Sequence, residues 1–499
     1  MYKIEILDSV WCRTLNKETT RFLQPFLSYE KENWIQGAFK RERTTYRANL
    51  ISPQGLFLRG FKDRVDKLAL TQGKKIEWVG GEERLPHSSP NLPGIIFRPD
   101  QTNLIERAVT MQRGVLECIA RSGKTVIAAG IFSSFPNSNC LFLVHTKDLL
   151  NQTYEAFVTY GLKGVGRVGG GFKESYSPIT VALRHSFAKL DPEDYSDFYD
   201  VVIVDEAHHV SSINGQYGKI LQNLLSPIKI GLTATTDVKE GEPKLSMEGY
   251  LGPIIGELTQ EQGRELGITA RAKIRFVRVP DQPFVKEEVT YQGAYKKGWA
   301  LNRSFNRKVI TTAKEYLDQG QTVLILVRKI QHGFMLEDMF DSIFKINAVF
   351  ICGGVDEETK KEISRLRARL GNSSSSKDLA ARKYIEKELE NVEEIYARVQ
   401  ARSKNRDSFR KKLDSGELRC IIATNIWNEG VNIPTLNAVL LAAGGKSEKA
   451  TIQMASRSLT KSNNKEVGVI VDFFNHNHRY FIEHFGHRMC TYMEQGWFE

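Results

Sequence analysis

Two short clusters carry the residue types that phosphate chemistry needs. The first is Arg121-Ser122-Gly123-Lys124-Thr125, within ECIARSGKTVIAAGIF (117–132), where an apolar strand candidate gives way to a helix candidate. A helix N-terminus turns unsatisfied backbone N–H groups toward an anion. Lys124 can then reach the terminal phosphates of a nucleotide, and Thr125 can offer its hydroxyl to Mg²⁺. The full pattern G-x-x-x-x-G-K-[ST] is not met, because Cys118 stands at the first glycine position. The second cluster is VVIVDEAHH (201–209), an apolar run ending on two carboxylates. Asp205 is placed to hold the Mg²⁺ through water, and Glu206 to orient and activate the attacking water. Either cluster alone is a common loop. Together they predict a nucleotide triphosphatase site.

The flanking segments supply the frame. In residues 96–270, strand candidates VLECIA (115–120), CLFLVH (140–145), PITVAL (178–183), DVVIVD (200–205) and IKIGLT (228–233) alternate with helical stretches. Residues 271–475 repeat the pattern with TVLILV (322–327), NAVFIC (347–352), RCIIAT (419–424), AVLLAA (438–443) and VGVIVD (467–472). Apolar strands separated by helices imply parallel sheets with crossover helices. The expected fold class is therefore α/β: two tandem parallel-sheet lobes with a cleft between them. Residues 1–95 read as a small α+β domain that ends in the linker-like LPHSSPNLPG (85–94), and residues 476–499 as a helical tail.

An insertion of about 371–412 interrupts the second lobe. From Lys377 to Lys412 there are eleven basic and seven acidic residues, and Ile385, Leu389, Val392, Tyr396 and Val399 recur at helical spacing. It reads as a helical arm, either a solvated surface hairpin or a contact for nucleic acid or a partner. In the tail, His476, His478, His484, His487 and Cys490 match no tight zinc spacing, and the stretch reads as a helix packing Phe481, Ile482, Phe485 and Met489 inward.

Composition narrows the class. The 499 residues carry 70 Lys and Arg against 59 Asp and Glu, a formal charge of +11, which suits either a polyanionic partner or a basic soluble enzyme. The six cysteines are scattered, which points to a reducing cytoplasmic compartment (that of a host cell, if the source is a phage) rather than to a disulfide scaffold. No apolar run is long enough for a membrane span, and the opening MYKIEILDSVWCRT does not read as a secretory signal. In the first region Lys40, Arg41, Arg43, Tyr46 and Arg47 cluster near Trp34, Phe39 and Phe57. Basic groups that neutralise phosphates beside aromatics that stack on bases would grip DNA, although a solvated strand face would look the same.

DEAH at 205–208, GKT at 123–125 and GLTAT at 231–235 resemble the superfamily 2 helicases and translocases, and further motifs follow in the family's order across both lobes. The resemblance implies two RecA-like lobes, with ATP and Mg²⁺ as cofactors. Phe97-Arg98-Pro99-Asp100-Gln101 is similar to the family's adenine-reading motif, so Arg98 and Gln101, with Arg121, Ser122, Gly123, Lys124 and Thr125, would bind ATP. Thr146 and Lys147, the glycine turn around Gly170, and Thr424 at the start of ATNIWNEGVNIP (423–434) would line the nucleic-acid track, and Thr233-Ala234-Thr235 would couple ATP to the strand. QMASRSLTK (453–461) is similar to the last motif, in which Gln453 and Arg457 would face the nucleotide. Residues 26–61 and the closing HFGHRMCTYMEQGWFE are similar to the UvsW-type recombination helicases of tailed phages. That likeness implies branched or duplex DNA, and RNA–DNA hybrids, as partners. It also implies junction branch migration, fork regression and R-loop unwinding in recombination, repair and replication.

Departures from the family pattern leave alternatives. Ser456 and Thr460 replace a glycine and the second arginine of the last motif, so Arg457, helped by Lys461 one helical turn on, would have to serve the γ-phosphate. Asn432 stands where Asp is frequent, and Arg121 takes the usual second loop glycine, with its guanidinium facing either phosphate or solvent. An RNA helicase and an ATP-switched clamp with little hydrolysis stay open at this stage.

Overall fold

The computed structural model describes residues 2–36, 41–81, 84–119, 121–234, 240–268, 271–352, 363–368, 379–404, 406–424, 436–445, 467–494 and 497. The chain divides into two compact units, Met1–Gly263 and Arg264–Glu499.

The first unit is organised by an eight-stranded sheet in the order Phe172–Lys173, Val165–Gly169, Ile179–Leu183, Cys140–Val144, Val201–Asp205, Ile228–Thr233, Arg113–Cys118, Ile254–Leu258. Every pairing is parallel except that of the short edge strand Phe172–Lys173. The central strands Cys140–Val144, Val201–Asp205 and Ile228–Thr233 are buried throughout, which is why they read as unbroken apolar runs. All five strands expected between 96 and 270 are present within a residue or two of their ends.

Residues Tyr2–Ile6, Trp11–Thr14, Leu56–Leu58 and Ile76–Val79 build a separate four-stranded sheet that shares a hydrophobic core with the first lobe, running from Ile4 and Phe57 through Val204 to Tyr250. The approach is close. A Cβ added at Gly60 would lie 2.2 Å from the carbonyl oxygen of Glu248, and Arg64 grips the Glu248 carboxylate with two N–H groups. Ser28–Gln36 and Arg41–Asn49 form a two-stranded antiparallel ribbon of their own.

The second unit carries a six-stranded, wholly parallel sheet in the order Arg271–Arg278, Val467–Phe474, Leu436–Leu441, Thr322–Val327, Cys420–Thr424, Ala348–Ile351. Apolar clusters cover both of its faces. Two parallel α/β lobes with a small α+β region before the first are thus the architecture of the chain.

Helices Leu379–Lys404 and Arg406–Asp414 occupy the expected insertion. Its seam is anchored at one end: Val399 is fully buried, and Leu389, Val392 and Tyr396 are half-buried. Arg398 lies 4.0 Å over the Phe334 ring and pairs with Glu337 and Asp338, both at 2.9 Å. Ile385 falls outside the described side chains. The tail forms the helix Arg479–Glu494. Phe481 is buried and Phe485 and Met489 are half-buried, but Ile482, expected inside, is 50% exposed. The inward stripe instead runs Phe481, His484, Arg488, Tyr492, because Arg488 makes a buried two-pronged pair with Asp472 at 2.7 and 2.9 Å and Tyr492 donates to the same carboxylate. That pair rotates the helix so that Ile482 faces solvent.

Candidate active site and nucleic-acid interface

The phosphate loop forms as the sequence implies: the strand Arg113–Cys118 ends, a tight turn follows, and a helix begins at Lys124. The turn needs positive φ at two residues. Gly123 (φ 86°) supplies one at no steric cost, and the space for a Cβ there is taken by the Gln101 amide, 2.5 Å away. Arg121 (φ 73°) supplies the other at the cost a β-carbon brings, which accounts for the preference for glycine at that position. Burial pushes the Arg121 guanidinium down to about 10.

Residues of the expected adenine-reading motif clamp this loop. Gln101 donates from its amide to the Ser122 carbonyl at 2.9 Å and accepts from the Arg98 backbone N–H at 3.1 Å, closing a capping box on the helix Pro99–Met111. Arg98 donates to Asp100 through two N–H groups and to the same Ser122 carbonyl at 2.7 Å. Arg98, Gln101, Ser122, Gly123, Lys124 and Thr125 therefore converge. Asp100, which fixes Arg98, was missed in the sequence, because an ion pair two residues apart leaves no periodic signal.

The carboxylates arrive from the neighbouring crossover. Asp205 closes its strand, nearly buried, and Glu206 follows with φ 48°, a left-handed conformation unusual for a non-glycine residue and of the kind found at functional sites. This turn aims Glu206 at the phosphate loop, where Lys124 Nζ donates to Glu206 Oε1 at 2.6 Å. Burial pushes the Asp205 carboxyl up to about 6; Lys124 opposes this and Glu206 adds to it. Burial works the same way on Glu206, but Lys124 and then His208 outweigh it and hold that carboxyl below its ordinary range. Burial would also depress the Lys124 ammonium, yet Glu206 and Asp205 hold it above its ordinary value. Asp205 is thus the acid that burial leaves most in need of a cation, and with the Thr125 hydroxyl it offers the hard oxygen donors that suit Mg²⁺.

Beyond the acids lies a group of contacts that the sequence shows only as motif letters. His208 Nδ1 lies 3.1 Å from Thr233 Oγ1 and 3.4 Å from Glu206 Oε2, so the imidazole spans the acid and the end of the strand Ile228–Thr233. His209 lies between His208 and His145, its ring tilted against both, with ring centres 4.3 and 4.7 Å away. Thr235 lies outside the described residues.

Of the expected nucleic-acid residues, Thr146 caps the helix Lys147–Thr159, accepting from the Leu149 N–H at 3.3 Å, and Lys147 is exposed at its start. Gly169, Gly170 and Gly171 all have positive φ, and a Cβ on Gly170 would meet the Lys147 side chain at 3.2 Å, so glycine turn and lysine are neighbours. Thr424 ends the strand Cys420–Thr424 in the second unit; it is 5% exposed, and its hydroxyl has no hydrogen-bond partner among the described residues. Arg47 is exposed on the ribbon and donates to Ser28 Oγ and to the Pro25 carbonyl. Arg41 and Arg43 lie on the same strand, paired in register with Gln36 and Trp34, but their side chains are outside the described set, as are Gln453, Arg457, Thr460 and Lys461.

Comparison with known proteins agrees with this geometry. Residues 94–238 match the family described as type III restriction enzyme, res subunit, and residues 361–460 match the helicase conserved C-terminal domain. The chain is 24% identical over 370 residues to the DNA 3'-5' translocase XPB2 of Sulfurisphaera tokodaii, covering 74% of this chain and 79% of that one. It is 20% identical over 396 residues to the ATP-dependent DNA helicase uvsW of Enterobacteria phage T4, covering 75% and 68%. Among solved structures, the ATP-dependent type ISP restriction-modification enzyme LlaBIII bound to DNA aligns over 87% of this chain and 33% of that one at a TM-score of 0.53 and 13% identity, a likeness of fold. Among the described residues no helix is long and apolar enough to cross a membrane. With a phosphate loop and an Asp-Glu strand end in the first lobe and a helicase conserved C-terminal domain match in the second, the chain resembles the superfamily 2 helicases, UvsW among them.

Proposed function

We propose that this chain is an ATP- and Mg²⁺-dependent motor on DNA that remodels branched substrates by junction migration, fork regression and R-loop unwinding. The observation that carries the reading is the Lys124–Glu206 contact at 2.6 Å, across a loop held by Arg98 and Gln101. In this arrangement the lysine neutralises the acid. A triphosphate arriving on the loop gives Lys124 a stronger anionic partner, and Glu206 is released as a carboxylate beside the attacking water. Mg²⁺ held by Asp205 and Thr125 would neutralise charge on the β- and γ-oxygens. The His208–Thr233 contact gives the acid a link to the strand end from which the family's coupling motif begins, so turnover and strand contact can be joined. Arg457, with Lys461, is proposed to stabilise the transferring phosphoryl. Thr146, Lys147, Gly170 and Thr424, with Arg41, Arg43 and Arg47 on the ribbon, are proposed to hold DNA.

The test is phosphate release with and without single-stranded, forked and four-way-junction DNA, beside Lys124→Ala. The expected result is a DNA-stimulated rate, lost in the variant, and ATP-dependent dissociation of the junction. A wild-type rate that DNA does not raise would end the motor reading. Stronger displacement of RNA duplexes than of forked DNA would move the substrate to RNA.

A further inference from the structure

The helix Glu242–Leu251 follows the strand Ile228–Thr233 in the chain and joins parts of the first unit that the motifs above leave unconnected. Its first residue, Glu242, accepts on one carboxylate oxygen from the Ser212 hydroxyl at 2.8 Å and on the other from Lys31 Nζ at 3.3 Å. The Tyr29 hydroxyl donates to the same carboxylate. Burial raises the Glu242 carboxyl, but Ser212, Tyr29 and Lys31 outweigh it and hold the group below its ordinary range. Tyr29 and Lys31 belong to the ribbon strand Ser28–Gln36, whereas Ser212 lies three residues past His209, where the chain leaves the acid turn. One carboxylate thus bonds both the ribbon and the loop that follows the acids.

A second set of contacts makes the same helix an intermediary. Tyr250 donates to the Ile213 carbonyl at 2.9 Å, so both ends of the helix hold the loop after the acids. A Cβ added at Gly231 would lie 2.8 Å from Ala207 Cβ and 2.9 Å from Leu251 Cδ1, so strand, acid turn and helix pack directly on one another. A shift of the helix is therefore passed to Ala207–His209, since close-packed interiors transmit strain. On the ribbon, Arg47 is paired in register with Glu30, and successive strand residues alternate faces. Tyr29 and Lys31 thus reach Glu242 from the face opposite to Arg47, and the Arg47 side stays exposed.

We propose that Glu242 is a positioning residue that couples the ribbon's hold on DNA to the nucleotide site, by fixing Tyr29 and Lys31 to Ser212 through one carboxylate. DNA drawn against the Arg47 face loads the ribbon, and the ribbon loads the N-terminus of the helix. The helix in turn sets the loop and turn that carry Glu206 and His208. The inference rests on the DNA-motor reading and deepens it by naming a route, outside the family's motifs, from strand contact to turnover. A residue that acts in this way changes the coupling between two sites rather than either site, and such coupling is reciprocal.

The experiment measures the dissociation constant of a fluorescent forked DNA from the full chain, with and without a non-hydrolysable ATP analogue and Mg²⁺, and that of the analogue with and without DNA. The ratio of the paired constants is the coupling, and communicating sites show about 5- to 150-fold. Wild type is expected in that range, with the same factor from either direction. Glu242→Ala is expected to bring the ratio close to one, while each ligand alone binds as in wild type. Ser212→Ala and Tyr29→Phe cut the same link from its two sides. Each should lower the ratio, and neither should lower it further in a Glu242→Ala background. Glu242→Gln keeps an acceptor for Ser212 and Tyr29 and should retain part of the ratio. A thermal midpoint for each variant separates coupling from stability, because a merely structural carboxylate would lower the midpoint and leave the ratio intact. Should Glu242→Ala not fold, Ser212→Ala and Tyr29→Phe carry the decision. A wild-type ratio in the variants overturns the proposal and leaves the motor reading standing. A wild type that binds no DNA overturns both.

Discussion

The two parallel sheets end in opposite kinds of chemistry at the same topological edge. In the first unit the carboxyl ends of Arg113–Cys118 and Val201–Asp205 deliver cation and anion together, and Lys124 is already paired with Glu206. In the second, the ends of Thr322–Val327 and Cys420–Thr424 deliver, among the described residues, a cation without a carboxylate (Arg328) and a hydroxyl without a partner (Thr424). Crossover topology puts loops at this edge in both units, and the loop residues alone decide what is bound there. A site that carries its own counter-charges can be switched by one ligand's arrival. An edge with unspent positive charge suits a polymer that comes and goes.

The strongest way to break this contrast is Lys124→Ala. Loss of the ammonium that pairs with Glu206 at 2.6 Å should cost at least about 10²–10³-fold in turnover with or without DNA, measured as steady-state phosphate release. Arg328→Ala should instead move the DNA concentration needed for stimulation. If both variants fell on the same parameter, the two edges would not have separate roles.

A second probe is pH. The Asp205 carboxyl is raised to about 6 from an unfolded value near 4, so the folded state binds the extra proton. The stability this confers is present below about pH 4 and is lost as pH rises through about 6. Glu206, held low, runs the other way. Asp205→Asn should therefore abolish turnover yet raise the thermal midpoint of the metal-free protein by roughly 2–4 °C above pH 7, with no gain at pH 5. Added Mg²⁺ should stabilise the wild type and not the variant. A variant less stable than wild type at pH 7.5 would show that Asp205 is not the strained member of the pair.

Thr233→Val removes the hydroxyl beside His208 Nδ1 and keeps the shape. One net hydrogen bond corresponds to about 2- to 10-fold, expected in DNA stimulation with nucleotide affinity retained. Equal loss of ATP binding would mean that the contact only supports the acid loop.

The parts legible in the sequence were those with a period or a fixed motif. The buried central strands announced themselves as apolar runs because helices cover both faces, and GKT and DEAH are short enough for local geometry to fix them. The short strands Val165–Gly169 and Ile254–Leu258 did not, since glycines dilute their pattern and an edge neighbour, not periodicity, makes them strands. Ile482 was assigned inward because apolar residues usually are, and the buried Arg488–Asp472 pair that turns the helix joins residues sixteen apart, with no local signature. The cluster around Arg328 is illegible for the same reason: Tyr291, Arg328 and Tyr480 come from three distant segments, and only the fold brings them together.

Arg121 offers the smallest and most local test. Its backbone holds φ at 73°, where a β-carbon costs about 1–2 kcal/mol, while glycine there would lose about 0.5–1 kcal/mol through the greater freedom of the unfolded chain. The two nearly cancel, so Arg121→Gly should change the stability of the first unit by about 1 kcal/mol or less, in the stabilising direction. The informative readout is nucleotide affinity. Burial already disfavours the Arg121 charge, and a phosphate on the loop would offset that cost. If the side chain faces phosphate, the glycine variant gains stability and loses ATP affinity together. If the two properties improve together, the arginine is merely tolerated in the loop, and the phosphate site of the first unit is built by Lys124 and the backbone alone.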